Sequence, residues 1–133
     1  MESPASLTFE IEDFSRIIKL TKKKKIITMI DNSWATPVYF SPIDNGIDVS
    51  ILSATKYISG HADTMLGLIT VKNEKLFLMI KDTAVSLGDC PGPKECYLTL
   101  RGLRTLSTRL GRHGSSALKV ARFLDNNEKV QKV

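Results

Sequence analysis

The stretch Val49-Ser50-Ile51-Leu52-Ser53-Ala54-Thr55-Lys56 carries the strongest indication of fold class in this sequence. Its first five residues form a short, largely apolar run with β-branched valine and isoleucine, which is typical of a strand buried in a parallel sheet. The stretch then ends on hydroxyl side chains and a lysine. Ligands of α/β sheets bind beyond the carboxyl ends of the strands, so we expect a site at this end.

Two further apolar runs predict neighbouring strands. Residues 26–30 are apolar on both faces and end on the polar cluster Asp31-Asn32-Ser33, and residues 65–71 form the third run. Helical spacing of apolar residues predicts a helix near 11–21, and Ser41-Pro42 with a following glycine predicts a short helix over 41–46. This alternation predicts the α/β class, with a mostly parallel sheet and crossover helices.

The second part of the chain is predicted to be helical. Residues 74–87 predict one helix, and the glycine- and proline-rich segment 88–93 ends it. Beyond this break an apolar stripe predicts long helices, which Gly111 and Gly114 interrupt, so one bent helix and two helices both fit. The stripe consists of Leu103, Leu106, Leu110, Ala117, Val120, Ala121 and Leu124.

The composition is that of an ordinary globular protein, with 42% hydrophobic and 25% charged residues. No run approaches the roughly 20 apolar residues of a membrane helix, and no signal peptide is recognisable, so we expect a cytoplasmic protein.

The net charge of +5 leaves nucleic acid as an alternative partner. However, the basic run Lys22–Lys25 lies at a predicted helix end without interleaved aromatic residues, so we expect no nucleic-acid binding. Cys90 and Cys96 are expected to be free thiols, and no metal site is predicted.

The polar residues at the two strand ends have a definite chemical use. The amine of Lys56 can form a Schiff base with an aldehyde cofactor. The hydroxyls of Ser53 and Thr55 fall on one side of an extended chain and can bind one phosphate. Asp31, which lies 25 residues before Lys56, can pair with a protonated pyridine nitrogen. A lysine after a strand is also often a solvated loop residue, and these residues alone leave both interpretations open.

Longer motifs resemble one family of enzymes. Five stretches occur in the order in which that family has them: Glu2-Ser3-Pro4, Asp31-Asn32-Ser33-Trp34-Ala35-Thr36-Pro37, Gly46-Ile47-Asp48, Ser53–Asp63, and Arg101-Gly102-Leu103-Arg104-Thr105-Leu106 with Arg109-Leu110. They resemble the signature of the pyridoxal-phosphate (PLP) enzymes of cysteine and methionine metabolism. Within the family, the tryptophan of Asp-Asn-x-Trp-Ala-Thr is most similar to that of cystathionine β-lyase.

The resemblance implies a role for each site residue. Lys56 would bind pyridoxal 5'-phosphate and shuttle the proton at the substrate Cα. Asp31 would bond the pyridine nitrogen, and Ser53 and Thr55 would hold the phosphate. Ser33 would replace the family's usual threonine while keeping its hydroxyl. Structural roles are implied for the remaining motif residues His61, Asp63, Trp34, Tyr57, Arg101 and Arg104.

The resemblance also implies the architecture. The chain would be part of the large domain of a fold-type-I PLP-dependent transferase, followed by long helices. Residues 1–92 would form the C-terminal part of the PLP-binding large domain. Residues 93–133 would form connecting helices and the start of the small domain.

The implied function is the β-elimination of cystathionine to homocysteine, pyruvate and ammonia, with a small sulfur amino acid as substrate. Family members are considerably longer, so we expect a truncated chain that is inactive alone. The glycine-containing phosphate loop, the stacking aromatic residue, the residues lent by a neighbouring subunit and the substrate-binding arginine have no counterpart here. A homo-oligomer or a complementary chain would then complete the site. A γ-synthase, a γ-lyase and a non-catalytic remnant remain the alternatives.

Overall fold

A computed structural model describes residues 1–133 and confirms the α/β class. Its three-stranded sheet contains β1 (Met29–Asp31), β2 (Val49–Ser53) and β3 (Gly67–Val71), in the order β1-β2-β3. β1 and β2 are parallel, with Met29 opposite Val49. β3 is antiparallel to β2, so the sheet is mixed. The physical reason is that residues 54–66 form turns and bends instead of a crossover helix, and parallel pairing requires a crossover.

Five helices accompany the sheet: α1 (Phe14–Lys23), α2 (Thr36–Tyr39), α3 (Glu74–Leu87), α4 (Pro93–Leu103) and α5 (Leu106–Asp125). The predicted helix over 74–87 is confirmed because both of its ends are marked in the sequence. Asn73 caps the first turn by accepting a hydrogen bond from the Leu76 N–H at 2.9 Å. Gly88 ends α3 in the left-handed conformation at φ 76°, which favours glycine.

The helix predicted over 41–46 is wrong. These residues form turns, and the short helix between β1 and β2 is α2, which comes earlier. The Ser41 hydroxyl donates to Asp44 at 2.7 Å, and the Asn45 side chain donates to the Ser41 carbonyl at 2.8 Å. Short polar side chains thus bond locally and offer the backbone an alternative to a continued helix.

The structure decides between the two alternatives for the last helical segment in favour of one helix. α5 runs through Gly111 and Gly114, and the break lies before it, between α4 and α5. At that break the Gly102 carbonyl accepts the N–H of Thr105 at 3.0 Å and its hydroxyl at 3.1 Å, which ends α4. Interior glycines cost only about 1 kcal/mol each relative to alanine, so α5 tolerates both of them.

The buried core is small and consists of two clusters, of which the first joins the sheet to α5 and the second joins it to α1. One cluster contains Leu52, Ala54, Ile58, Leu106 and Leu110, and the other contains Ile18, Ile30 and Ile47. Only 17 of 133 residues are buried, and α3 buries none of its residues. Large apolar side chains therefore remain exposed on α3, β3 and the distal half of α5. Exposed apolar surface of this extent is typical of a region that binds other protein surface.

No helix of the chain combines the length and the hydrophobicity that crossing a membrane requires.

Candidate active site

An open pocket of ≈ 760 Å³ lies where the parallel strands β1 and β2 end. It is lined by all four residues predicted to bind the cofactor: Asp31, Ser53, Thr55 and Lys56. The parallel pairing places the carboxyl ends of both strands at the same edge of the sheet, which is why residues from the two strands meet. The other lining residues are Glu2, Ser33, Trp34, Tyr57, Gly60, Ala62, Arg109 and His113.

Asp31 is the last residue of β1 and is partly buried. Its Oδ1 accepts a hydrogen bond from the Ser33 N–H at 2.8 Å, which holds the carboxylate at the strand end. Its Oδ2 makes no hydrogen bond within the chain and is free to accept one from a ligand. An ionised carboxylate accepts hydrogen bonds only, so Asp31 suits a cationic N–H donor.

Ser33 connects the ends of the two strands. Its hydroxyl oxygen accepts a hydrogen bond from the Ser53 N–H at 2.7 Å. The Asn32 N–H completes the junction by donating to the Ile51 carbonyl, also at 2.7 Å. The hydroxyl of Ser53 makes no hydrogen bond within the chain, so it is available to a ligand in the pocket.

Replacing Ser33 with alanine is expected to lower the free energy of unfolding by about 1 kcal/mol, because the Ser53 N–H loses its acceptor. Threonine at this position keeps the hydroxyl, so Ser33→Thr is the matched control and is expected to stay near wild type. Urea unfolding of both variants measures the difference. Equal loss in the two variants would show that the hydroxyl is not what holds the strand ends together.

Thr55 does not extend β2 as the sequence predicted. Ser53 ends the strand, and Thr55 lies in the turn that follows, so the expectation of two hydroxyls along one extended segment is wrong. The Thr55 hydroxyl oxygen accepts the Leu66 N–H at 3.0 Å and lies 3.4 Å from the Leu66 carbonyl. The second contact is long for an O–H···O bond, so the hydroxyl proton can turn to a better acceptor in the pocket.

Lys56 lies in a segment that we call the lysine turn, Ala54–Gly60. The turn is closed by the Ser59 N–H, which donates to the Ala54 carbonyl at 2.8 Å, and by the Gly60 N–H, which donates to the Lys56 carbonyl at 2.9 Å. The Lys56 side chain is exposed and its amine makes no hydrogen bond or ion pair. A lysine amine without a partner can act as a nucleophile towards an aldehyde once it is deprotonated.

Sequence reasoning missed two pocket residues contributed by α5. The Arg109 side chain donates to the backbone carbonyls of the lysine turn, and the ring of His113 lies 5.8 Å from that of Tyr57. In the sequence, Arg109 is recognisable only as part of a motif. No local pattern could have indicated these roles, because the Arg109–Tyr57 contact joins residues 52 apart in the chain.

Four of the remaining motif residues make structural contacts, whereas Arg104 is exposed and its side chain makes no hydrogen bond or ion pair. Arg101 and Asp63 form an ion pair at 2.8 Å, and His61 Nδ1 lies 2.6 Å from the Ser59 carbonyl. Trp34 lines the pocket and packs edge-to-face against Phe9, with ring centroids 5.9 Å apart.

The model of one protein family matches the whole chain, residues 1–133, and describes a Cys/Met metabolism PLP-dependent enzyme. The chain belongs to this family. Its cofactor is therefore pyridoxal 5'-phosphate. The donor set of the pocket fits that group, because it combines a free amine for an aldehyde, a carboxylate for a ring nitrogen and hydroxyls for a phosphate.

The most similar proteins span several activities. The chain is 43% identical over 133 residues to an L-alanine/L-glutamate racemase of Wolbachia pipientis, and 42% identical over 135 residues to cystathionine beta-lyase MetC of Escherichia coli. In each case the whole chain is covered. It spans only about a third of these relatives, 33% and 34% of their lengths.

Solved structures agree with the fold throughout the chain. Cystathionine gamma-lyase of Lactobacillus plantarum, complexed with L-serine, superposes with a TM-score of 0.95 at 32% identity, over 98% of this chain and 34% of that one. Cystathionine gamma synthase of Xanthomonas oryzae superposes with a TM-score of 0.95 at 35% identity, over 99% and 34%. The fold-type assignment is confirmed. The division into two domains at residue 92 stays a prediction.

Proposed function

We propose that these 133 residues supply the lysine side of a PLP site in a carbon–sulfur lyase acting on cystathionine. The observation that carries the proposal is the pocket at the ends of β1 and β2, where the partner-free amine of Lys56 shares one cavity with Asp31 and Ser53. Three chemically different groups that each match one part of PLP converge there. A solvated loop lysine would not require a carboxylate and a hydroxyl from two neighbouring strands.

Each residue has a role that follows from its environment. Asp31 would accept a hydrogen bond from the ring nitrogen through the oxygen that Ser33 leaves free. Ser53 would donate its unbonded hydroxyl to the phosphate, and Thr55 would donate by releasing the long contact to the Leu66 carbonyl. Lys56 would hold the cofactor through its amine, and once the substrate's amino group has displaced that amine it would move the proton at the substrate Cα. When bound, PLP acts as an electron sink for the carbanion formed at that carbon.

Removal of the Cα proton is a step that racemisation, β-elimination and γ-elimination all share. This explains why a single segment resembles proteins named for each of these reactions. The β-lyase assignment is supported by Trp34 in the Asp-Asn-x-Trp-Ala-Thr pattern and by relatives named cystathionine beta-lyase. A racemase is the second candidate, because the racemase of Wolbachia pipientis is 43% identical over the chain.

We propose that another protein chain completes the site. The pocket offers a phosphate mainly side-chain hydroxyls, because its one arginine is already bonded to backbone carbonyls. The exposed apolar surfaces of α3, β3 and α5 would be covered by the same association. A homo-oligomer or a complementary chain could provide both, and alone the chain is expected to hold PLP weakly.

Borohydride trapping tests the proposal. The chain is incubated with PLP, reduced, digested and analysed for pyridoxyl-lysine by mass spectrometry. We expect Lys56 to be labelled in preference to the exposed lysines of the Lys22–Lys25 run, and the preference to vanish in Lys56→Arg. Labelling spread evenly over the lysines would overturn the proposal. A stoichiometric adduct at micromolar PLP would instead refute the expectation that the isolated chain binds weakly.

A further inference from the structure

We infer that Arg109 is a positioning residue that holds the lysine turn in place and thereby aims Lys56 into the pocket. The claim that Arg109 holds the lysine turn rests only on the hydrogen bonds that its side chain makes. Its consequence for Lys56 rests on the proposed function.

The side chain of Arg109 donates four hydrogen bonds, and every acceptor lies on or beside the lysine turn. Nη1 donates to the Tyr57 carbonyl at 2.7 Å, and Nη2 donates to the Ile58 carbonyl at 3.0 Å. Nη2 also donates to the Gly102 carbonyl at 2.8 Å, and Nε donates to the Thr105 hydroxyl at 3.0 Å. One guanidinium therefore joins the two residues that follow Lys56 to the end of α4.

The lysine turn needs this partner because it leaves carbonyls without donors. The Ala54 and Lys56 carbonyls are bonded by the N–H groups of Ser59 and Gly60. The chain then leaves the turn, so no backbone N–H reaches the carbonyls of Tyr57 and Ile58. A planar guanidinium carries several N–H donors in a fixed arrangement, so it can bond both carbonyls at once. The ammonium group of a lysine is a compact charge without this geometry.

Two glycines make room for this arrangement. A Cβ on Gly60 would clash with Arg109 Nη1, and a Cβ on Gly102 would clash with the Ser59 carbonyl oxygen. Gly60 has a φ of 71°, which glycine adopts without strain. The guanidinium and the end of α4 thus approach the backbone of the turn more closely than any larger residue would permit.

α5 contacts the lysine turn a second time through His113, whose ring centroid lies 5.8 Å from that of Tyr57. His113 follows Arg109 by one helical turn, so both side chains project from the same face of α5. A displacement of α5 along or across this face would move the backbone that carries Lys56. Arg109 is the residue through which α5 donates hydrogen bonds to the backbone of the lysine turn.

Hydrogen exchange of the 133-residue chain tests the hold directly and needs no cofactor. In Arg109→Lys and Arg109→Gln we expect the amides of Ser59 and Gly60 to exchange about tenfold faster, while the amides of β2 change by less than about twofold. Arg112→Lys is the matched control, because Arg112 lies on the same helix and its side chain makes no hydrogen bond within the chain. It should leave exchange unchanged in both segments.

The outcomes separate positioning from general stabilisation. Unchanged exchange in the turn, or an equal rise in the turn and in β2, would overturn the inference. Arg109→Lys keeps the charge and most of the side chain, so this variant provides the test if Arg109→Gln does not fold. If all amides of Arg109→Lys exchanged equally fast, that result would also contradict the inference.

The consequence for Lys56 is measured by the borohydride trapping described above. In Arg109→Lys we expect the ratio of label at Lys56 to label at Lys72 to fall by about tenfold, because the turn no longer holds Lys56 at the pocket. A loosened turn with an unchanged ratio would overturn the claim that Arg109 aims Lys56. A wild-type chain that never labels Lys56 would refute the proposed function, and hydrogen exchange would still test the hold of Arg109.

Discussion

Replacing Lys56 with alanine is expected to lower turnover by at least about 10³-fold in an assembled enzyme, because the residue proposed to move the proton at Cα is lost. The assembled enzyme is a chimera in which residues 1–133 replace the matching third of cystathionine beta-lyase MetC of Escherichia coli. The two proteins are 42% identical over this region, which favours correct folding of the chimera. The rate of pyruvate release from cystathionine measures the effect.

The design of this experiment separates chemistry from assembly. Lys72→Ala is the matched control, because Lys72 is an exposed lysine just beyond β3 that does not line the pocket. It is expected to leave the rate within about twofold of the parent chimera. Lys56→Ala should still assemble, since the Lys56 side chain makes no hydrogen bond or ion pair within the chain. Activity of Lys56→Ala within tenfold of the parent would contradict the role assigned to the amine.

Replacing Gly102 with alanine is expected to lower the free energy of unfolding by about 3 kcal/mol, at the upper end of the usual cost of overpacking. A Cβ at this position would meet the backbone carbonyl oxygens of Ile58 and Ser59. These are main-chain atoms of a buried segment, so they cannot rotate away as the end of a flexible side chain can. α4 and the lysine turn would have to separate, which would also break the Arg109 contact to the Gly102 carbonyl.

Gly111 provides the matched control for this substitution. It is also a helical glycine, but a Cβ there would meet no atom within 4 Å. Gly111→Ala is therefore expected to stabilise the chain by about 0.5–1 kcal/mol through helix propensity. Urea unfolding of both variants gives the two values. A Gly102→Ala variant that is as stable as Gly111→Ala would show that the close approach of α4 to the lysine turn is not required.

The part of the site that could be predicted lies at the ends of predicted strands. Asp31 and Lys56 follow apolar runs whose length and composition identify buried strands, and parallel pairing brings such ends together. Ser53 was placed correctly for the same reason. Thr55 was placed by extending the strand too far, because the sequence does not show where the turn begins. Its side chain still lines the pocket, although its hydroxyl is shared with the Leu66 backbone.

The part that could not be predicted consists of contacts to backbone atoms. Arg109 donates to the backbone carbonyls of Tyr57 and Ile58. Because every residue has a backbone carbonyl, the residue types at these positions do not reveal the acceptors. The same is true of Gly102, whose lack of a side chain is explained only by the backbone packed against it. In the sequence, Gly102 looks no different from Gly111, which packs against nothing.

The sequence by itself determined the α/β class, the boundaries of α3, the residue types of the candidate site and membership of the family, because these depend on local patterns and on motifs. Only the tertiary structure decided the direction of β3, the continuity of α5 and the hydrogen bonds by which α5 holds the lysine turn. Each of these depends on which distant segments come into contact, and the energy of such contacts is set by long-range packing and backbone hydrogen bonds. The lysine is thus identified by its local sequence, but its orientation depends on a helix that begins 50 residues later.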